Sequence, residues 1–359
     1  MKTAIASLAL SILSVQAYAQ SNLQIYGIVD VAVERLNKTA AGSGITRMAT
    51  TSGRAATRLG FRGEEKISPG MSAIFTLEMG IAPDSGTLNQ GGRGFGRQAW
   101  TGLKTDFGTL SLGRQYTMLL WAFGNSDVTG GSMHGLGSLD SYLAAARVDN
   151  SIAYRTSVQN FDFGLTYSFG RDALATATNN CVGENAEASS ECTQWSAMVK
   201  YDNKDWGAGL GVDEYRGGPR AAGGLTAASM KDRRVLVNAY KMLGATRLGG
   251  GVIVRKDEGL GSQPNTNLWY VGVSHKLNNQ LTLDAQLSAI HNTANDNDAK
   301  LLVLRATHAF SKRTSIYTSF GYVKNDGLAR YSASSSHAGG LPTPGTGQAA
   351  LAMGVHHSF

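Results

Sequence analysis

The chain has 359 residues, 42% hydrophobic and 16% charged, with a net charge of +7, 45 glycines, 6 prolines and 2 cysteines. This apolar content with so modest a charge excludes a disordered chain, and glycine without proline excludes a collagen-like one. Two cysteines with no C-x-x-C spacing exclude a disulfide scaffold, a zinc ribbon and thioredoxin chemistry.

The first segment reads as a targeting signal. Lys2 supplies a positive start, Ala4 to Val15 an apolar run, and Ala17-Tyr18-Ala19 an A-x-A cleavage site. The run is about a dozen residues, short of the ~20 that a membrane helix needs. The expectation is a cleaved secretory signal over 1–19 and an exported domain over 20–359.

No later run of 18 apolar residues occurs, so a helical span is not expected. What recurs is alternation. Phe161, Phe163, Leu165, Tyr167 and Phe169 share one parity, with Asp162, Gly164, Thr166 and Ser168 between them. Trp195, Ala197, Val199 and Tyr201 repeat the pattern, as do Leu281, Leu283, Ala285, Leu287 and Ala289. The last segment sets Leu351, Met353, Val355, His357 and Phe359 against Ala350, Ala352, Gly354, His356 and Ser358. A period of 2 gives strands with one apolar face.

Short connections fall near 66–69, 105–107, 203–205, 277–279 and 311–313. Long polar, Gly-rich stretches fall at 34–52, 82–94, 116–149, 170–193, 216–230, 256–265 and 324–347. Counting strand-length runs between these breaks predicts about sixteen strands. Alternation alone fits a soluble sandwich with its apolar face inside. The even count, the alternation of short turns with long loops, and aromatics near strand ends (Tyr167/Phe169, Trp195/Tyr201, Trp269/Tyr270, Phe359) favour the inverse, apolar face outside. A sheet that spans lipid has to close, and one of about sixteen strands leaves an aqueous channel. The expected fold is all-β: a transmembrane antiparallel β-barrel.

Particular stretches then resemble a known family. Leu23-Gln24-Ile25-Tyr26-Gly27-Ile28-Val29-Asp30 resembles the first strand of Gram-negative trimeric porins. So do Thr57-Arg58-Leu59-Gly60-Phe61-Arg62-Gly63-Glu64-Glu65 and Gly96-Arg97-Gln98-Ala99-Trp100-Thr101-Gly102-Leu103. Leu112-Gly113-Arg114-Gln115 leads into a long third loop, Asn150-Ser151-Ile152-Ala153-Tyr154-Arg155 follows it, and Phe359 ends the chain as in that family, where the ending serves outer-membrane assembly. The likeness covers essentially all of 20–359 and is greatest to the β-proteobacterial branch. It implies a homotrimer of sixteen-stranded barrels in the outer membrane, each narrowed by a third loop at about 116–149. It also implies a constriction where wall arginines oppose acids.

By motif those arginines are Arg58, Arg97 and Arg155. Parity agrees: Leu59 and Phe61 outward turn Arg58 and Arg62 inward, and an outward Trp100 would turn Arg97 inward. Glu78 points inward because Ala73, Phe75, Leu77 and Met79 take the other parity. Asp127 and Asp140 are the acids between 116 and 148, and spacing from Arg97 favours Asp127 as the inward one. Enterobacterial members carry P-E-F-G-G in this loop, whereas Gly124-Asn125-Ser126-Asp127-Val128-Thr129-Gly130-Gly131 stands here.

Permanently charged arginines facing few acids predict a weakly to moderately anion-selective channel for ions and small hydrophilic solutes. A substrate-specific channel and a barrel whose loops serve as an adhesin or receptor are the alternatives. Cys181 and Cys192 stand in one loop, where two cysteines in an oxidising envelope most often pair. An enzyme is not expected: Gly130-Gly131-Ser132-Met133-His134 fails the G-x-S-x-G pattern, and the seven histidines show no triad spacing. His356 and His357 point to opposite strand faces. No cofactor, metal or nucleic-acid partner is expected; the partners are sister subunits, outer-membrane lipid and the solutes.

Overall fold

The computed structural model describes residues 22–51, 53–172, 181–219, 221–259, 265–336 and 340–359; the expected signal segment lies outside them. The alternating segments become strands: β1 (Asn22–Leu36), β2 (Ile45–Met48), β3 (Arg58–Ser68), β4 (Met71–Gly80), β5 (Gln98–Thr105), β6 (Gly108–Tyr116), β7 (Arg147–Val158), β8 (Phe161–Ser168) and β9 (Gln194–Asp202). The circuit continues with β10 (Trp206–Arg216), β11 (Lys231–Leu243), β12 (Thr246–Asp257), β13 (Thr266–Lys276), β14 (Leu281–Asn292), β15 (Ala299–Ala309), β16 (Thr314–Asn325) and β17 (Gln348–Ser358).

Neighbours pair antiparallel, and β17 pairs with β1 from Ile28↔Ser358 to Leu36↔Ala350, closing the sheet. Closure leaves no open edge, which a sheet in hydrocarbon requires. β2 pairs with Val33–Leu36 of β1 and β3 with Asn22–Ile28, so the two share one place in the wall. The barrel therefore has sixteen strand positions. Phe359 completes the seam: its N–H donates to the Gly27 carbonyl and the Gly27 N–H to its own carbonyl, each at 3.1 Å.

Short turns and long loops alternate along the chain, as expected. Two further tight turns, at 159–160 and 244–245, and a brief loop at 293–298 escape the sequence reading. The first lacks glycine and proline altogether and places Gln159 at φ 56°. The outward parity is apolar and exposed, as with Phe161, Leu165, Leu351 and Met353, while Thr166, Ser168 and Ala352 are buried inside.

Two sequence expectations are corrected. Trp100 pairs with Thr76 in the row that includes Arg62, so its side chain faces inward, where the indole N–H donates to Gln98 at 3.0 Å. Arg97 turns inward because it precedes β5, in chain that bends over Glu78: the Arg97 N–H donates to the Glu78 carbonyl at 3.0 Å. Tyr270 is no girdle residue either; it faces inward and is buried, and only Trp269 is exposed outside.

The hydrophobic core lies inside the barrel, against the third loop (117–146). Leu119, Phe123, Leu136, Leu139 and Leu143 of the loop pack with Leu236, Ile253, Leu268 and Leu301 of the wall. These inward aliphatic residues on β11, β12, β13 and β15 are thus the footprint of the loop. The loop opens with one helical turn, α1 (Met118–Ala122). Its backbone lies so close to the wall that a Cβ at Gly209 would stand 2.3 Å from the Ala122 carbonyl, and one at Gly249 2.2 Å from that of Ser126.

Candidate pore constriction

The wall facing the loop is built from β1 and β3 to β7. Tyr26 of β1 reaches across Gly60 and donates to Glu78 Oε2 at 3.0 Å. Arg97 Nε donates to Glu78 Oε1 at 2.7 Å, and a second Arg97 nitrogen donates to the Tyr116 hydroxyl at 2.5 Å. Arg58 Nε lies 3.7 Å from Glu78 Oε2. One buried carboxylate therefore serves two guanidiniums. Below this row Arg62 Nε donates to Gln24 at 2.8 Å and the guanidinium lies 5.2 Å from the Tyr26 ring centroid. Above it Arg147 donates to Tyr116 at 3.1 Å, while Arg93 and Arg114 share Asp149 and Arg93 also meets Asp172.

Arg155 stands lower on β7, opposite Thr109. Its guanidinium lies 4.4 Å from the ring centroid of Trp121 in α1, so wall and loop touch there. Among the described residues no carboxylate oxygen comes within 4.0 Å of the guanidinium nitrogens of Arg155, Arg62 or Arg54.

Arg54 comes from chain folded into the barrel between β2 and β3. Buried Asp30 of β1 holds that segment: its carboxylate accepts the N–H groups of Gly53, Arg54 and Ala55 at 3.2, 3.1 and 2.9 Å. The Tyr317 hydroxyl donates to it at 2.5 Å, and His356 Nδ1 lies 3.2 Å away. Arg54 then reaches Ser315 at 3.1 Å. His357, on the opposite face as expected, meets Thr314 at 2.9 Å.

The far arm of the loop is fixed by side chains from the wall. Asn238 donates to the Ala122 carbonyl, Ser126 meets Tyr270, and Arg305 donates to the carbonyls of Val128 and Thr129 while pairing with Asp284. Asp127 belongs to this arm. Its Oδ1 accepts the Thr129 N–H at 3.0 Å and the Thr129 hydroxyl at 2.8 Å, and packing against the wall pushes its carboxyl above the usual range, with those donors opposing. Its recorded partners are thus within the loop and on β14. The acid that faces Arg58 and Arg97 is Glu78. Further along, His134 is fully buried between Glu34 (3.0 Å) and Ser319 (2.9 Å).

The sequence named Arg58, Arg97 and Glu78, which the structure brings together, and Arg155, which it sets lower on the same wall. It missed Arg54, Tyr116 and Trp121. Arg54 lies in irregular chain where parity says nothing, and Trp121 reads as one more apolar residue until the loop is seen inside the barrel. Cys181 and Cys192 are joined by a disulfide with Cα atoms 5.1 Å apart.

A closed antiparallel barrel with an exposed apolar outer face and an arginine-lined interior narrowed by its own loop is an outer-membrane channel. The model of the Gram-negative porin family matches residues 4–328, and the chain belongs to that family. It is 30% identical over 373 residues, with 100% of both chains covered, to outer membrane porin protein 32 of Delftia acidovorans. The anion-selective porin from Comamonas acidovorans matches with a TM-score of 0.79 at 25% identity, covering 95% of this chain and 100% of that one. The trimer form of OmpT from Vibrio cholerae shares the fold, with a TM-score of 0.64 at 16% identity over 94% of this chain and 99% of that one. The protein is an outer-membrane porin, a channel across the outer membrane of a Gram-negative cell.

Proposed function

We propose that the channel passes ions and small hydrophilic solutes by diffusion with a preference for anions, and that it works as a homotrimer embedded in outer-membrane lipid. One observation carries the selectivity. Along the narrowed lumen stand Arg54, Arg58, Arg62, Arg97 and Arg155; Arg58 and Arg97 share the carboxylate of Glu78, while Arg54 bonds Ser315, Arg62 bonds Gln24 and Arg155 lies over the Trp121 ring. Lumen acids elsewhere are already engaged: Asp149 with Arg93 and Arg114, Asp284 with Arg305, and Asp162 with Lys200. Arginine stays protonated at any working pH, so the excess is a fixed positive field where the path is narrowest. The Comamonas protein is anion-selective and the Vibrio protein occurs in a trimer form, which supports this reading.

In this reading Arg58, Arg97 and Arg155 set the field, Glu78 moderates it, and Asp127 holds the loop in place. The test is single-channel recording in a planar bilayer under a salt gradient. A reversal potential on the anion side, with steps in groups of three, is expected. A reversal potential on the cation side refutes the selectivity, and single unlinked steps refute the trimer.

A further inference from the structure

Beside the third loop, at the ends of β8 to β12 nearest the short turns, lies a polar cavity of about 400 Å³ that the arginine constriction does not use. Asn125 of the loop lines it, with Asp162, Lys200, Asp202, Tyr240 and Arg247 of the wall. Short turns face the periplasm in such barrels, so the cavity lies on the periplasmic side of the narrowing. Strand register builds it. Asp162 stands directly opposite Lys200 and the two pair at 2.9 Å, which closes their charges on each other. Asp202 and Tyr240 both stand opposite Gly207 of β10, where a Cβ would be 2.5 Å from the Tyr240 ring. The missing side chain lets that ring lie across the strand to reach Asp202.

Two groups in the cavity are left with bonding capacity to spare. The Tyr240 hydroxyl donates to Asp202 Oδ1 at 2.5 Å, and the Lys204 N–H donates to the same oxygen at 2.8 Å. Among the described residues no donor falls on Asp202 Oδ2. Arg247, opposite Met242, has no carboxylate oxygen within 4.0 Å of its guanidinium nitrogens among the described residues. Its Nε is buried without a hydrogen-bond partner, and its Nη1 lies 3.5 Å from Asn125 Oδ1. A buried donor left without an acceptor costs free energy. An inorganic anion suits Arg247 and is repelled by Asp202; a lone cation suits Asp202 and is repelled by Arg247. A molecule that carries both charges satisfies both.

We propose that this cavity binds the zwitterion of a free α-amino acid, with Arg247 on its carboxylate and Asp202 on its ammonium group. The two side chains spring from β12 and β9, three strand spacings or ~14 Å apart, and both line the cavity. The interval left between their charged ends suits an amino acid and is short for a peptide. Exposed Lys204, in the turn between β9 and β10, also lines the cavity and adds a cation on the carboxylate's behalf. The site rests on the diffusion path proposed above only for access from the lumen.

The test titrates the full chain in detergent with three solutes, read by saturation-transfer NMR. They are L-alanine, N-acetyl-L-alanine, which keeps only the carboxylate charge, and L-alaninamide, which keeps only the ammonium. The wild type should bind L-alanine saturably and each of the others about fivefold more weakly, the scale of one solvent-exposed ion pair. K241Q, which removes an exposed lysine of β11 outside the cavity, should behave as the wild type. R247Q should lose the preference for L-alanine over L-alaninamide and keep that over N-acetyl-L-alanine; D202N should do the reverse. A signal that rises without saturating, equal binding of the three solutes by the wild type, or preferences unchanged in both variants would each overturn the proposal. N-acetyl-L-alanine bound as tightly as L-alanine would reveal a site for anions instead. The comparison of solutes on the wild type needs no variant to fold. Because binding is read in detergent, a failed anion preference in the bilayer would leave this result standing, and the converse holds.

Discussion

Arg155 of the wall and Trp121 of the third loop are stacked, guanidinium to indole, at 4.4 Å. The contact joins the two sides of the narrowing through a face that attracts the cation without neutralising it. A carboxylate at Trp121 would have cancelled the field at that point. The indole holds the side chain in position and leaves its charge available to a passing ion.

The Arg155→Gln variant tests this. A unit charge about 4 Å from an ion in a water-like environment is worth about 1 kcal/mol. The anion-to-cation permeability ratio should therefore fall several-fold, read from the reversal potential under a salt gradient. Trp121→Ala keeps the charge, so its ratio should stay within about twofold while conductance rises, because a large ring has left the path. A lower ratio in Trp121→Ala than in Arg155→Gln would reverse these roles.

Glu78 and Arg97 form a buried pair, so their effects should cancel. Glu78→Gln removes the one acid of the row and should strengthen the preference for anions. Arg97→Ser leaves Glu78 facing only Arg58 at 3.7 Å and should shift the reversal potential toward cations. It should also lower stability, since stripping one partner from a buried pair costs about 3–5 kcal/mol. The double variant should return close to wild type in selectivity. A double variant whose reversal potential stays clearly displaced, toward either ion, would show that the two charges do not offset each other at the narrowing.

Asp30 is buried, yet it should matter for the ion path. Its carboxylate collects three consecutive backbone N–H groups and the Tyr317 hydroxyl. Hydrogen bonds to a charged group are worth about 1.5–3 kcal/mol each. Asp30→Ala should thus lower the thermal midpoint of the folded barrel in detergent by more than Arg54→Ala does. It should also add open-channel noise, because the segment carrying Arg54 loses its clamp. A quiet channel of normal stability would show that the segment is held by other means.

The strands were legible because period 2 survives wherever one face meets lipid: Phe161 to Phe169 and Leu351 to Phe359 read correctly from the letters alone. Parity failed where the inner face is not polar. Leu236, Ile253, Leu268 and Leu301 are inward apolar residues covered by the third loop, and a rule that sends apolar residues to lipid cannot assign them. Trp100 and Tyr270 were misplaced for the same reason, as inward aromatics with polar partners inside the barrel. Within the site, Arg58 and Glu78 lie in regular strands and could be placed. Arg54 and Asp127 lie in irregular chain, where a side chain's direction follows from contacts far away in sequence, such as Asp30 and Gln286.

One signal was present in the sequence and went unread. Glycines at inward positions, Gly209 on β10 and Gly249 on β12, mark where the loop backbone runs against the wall, within 2.3 and 2.2 Å of where a Cβ would be. The atoms in the way are backbone carbonyls, which cannot rotate aside as a side chain can. Gly209→Ala/Gly249→Ala should therefore lift the loop toward the arginine wall without breaking a strand, since alanine is tolerated in a sheet and both neighbours keep their pairing. The expected result is a folded barrel with reduced single-channel conductance and more frequent closures. Alanine placed instead at the outward glycine Gly250 of β12, where a Cβ would meet the Tyr270 carbonyl of the adjacent strand at 2.8 Å and not the loop, should leave the current unchanged. Normal conductance in the double variant would mean that the loop settles elsewhere at no cost, and that its course is not fixed by these two positions.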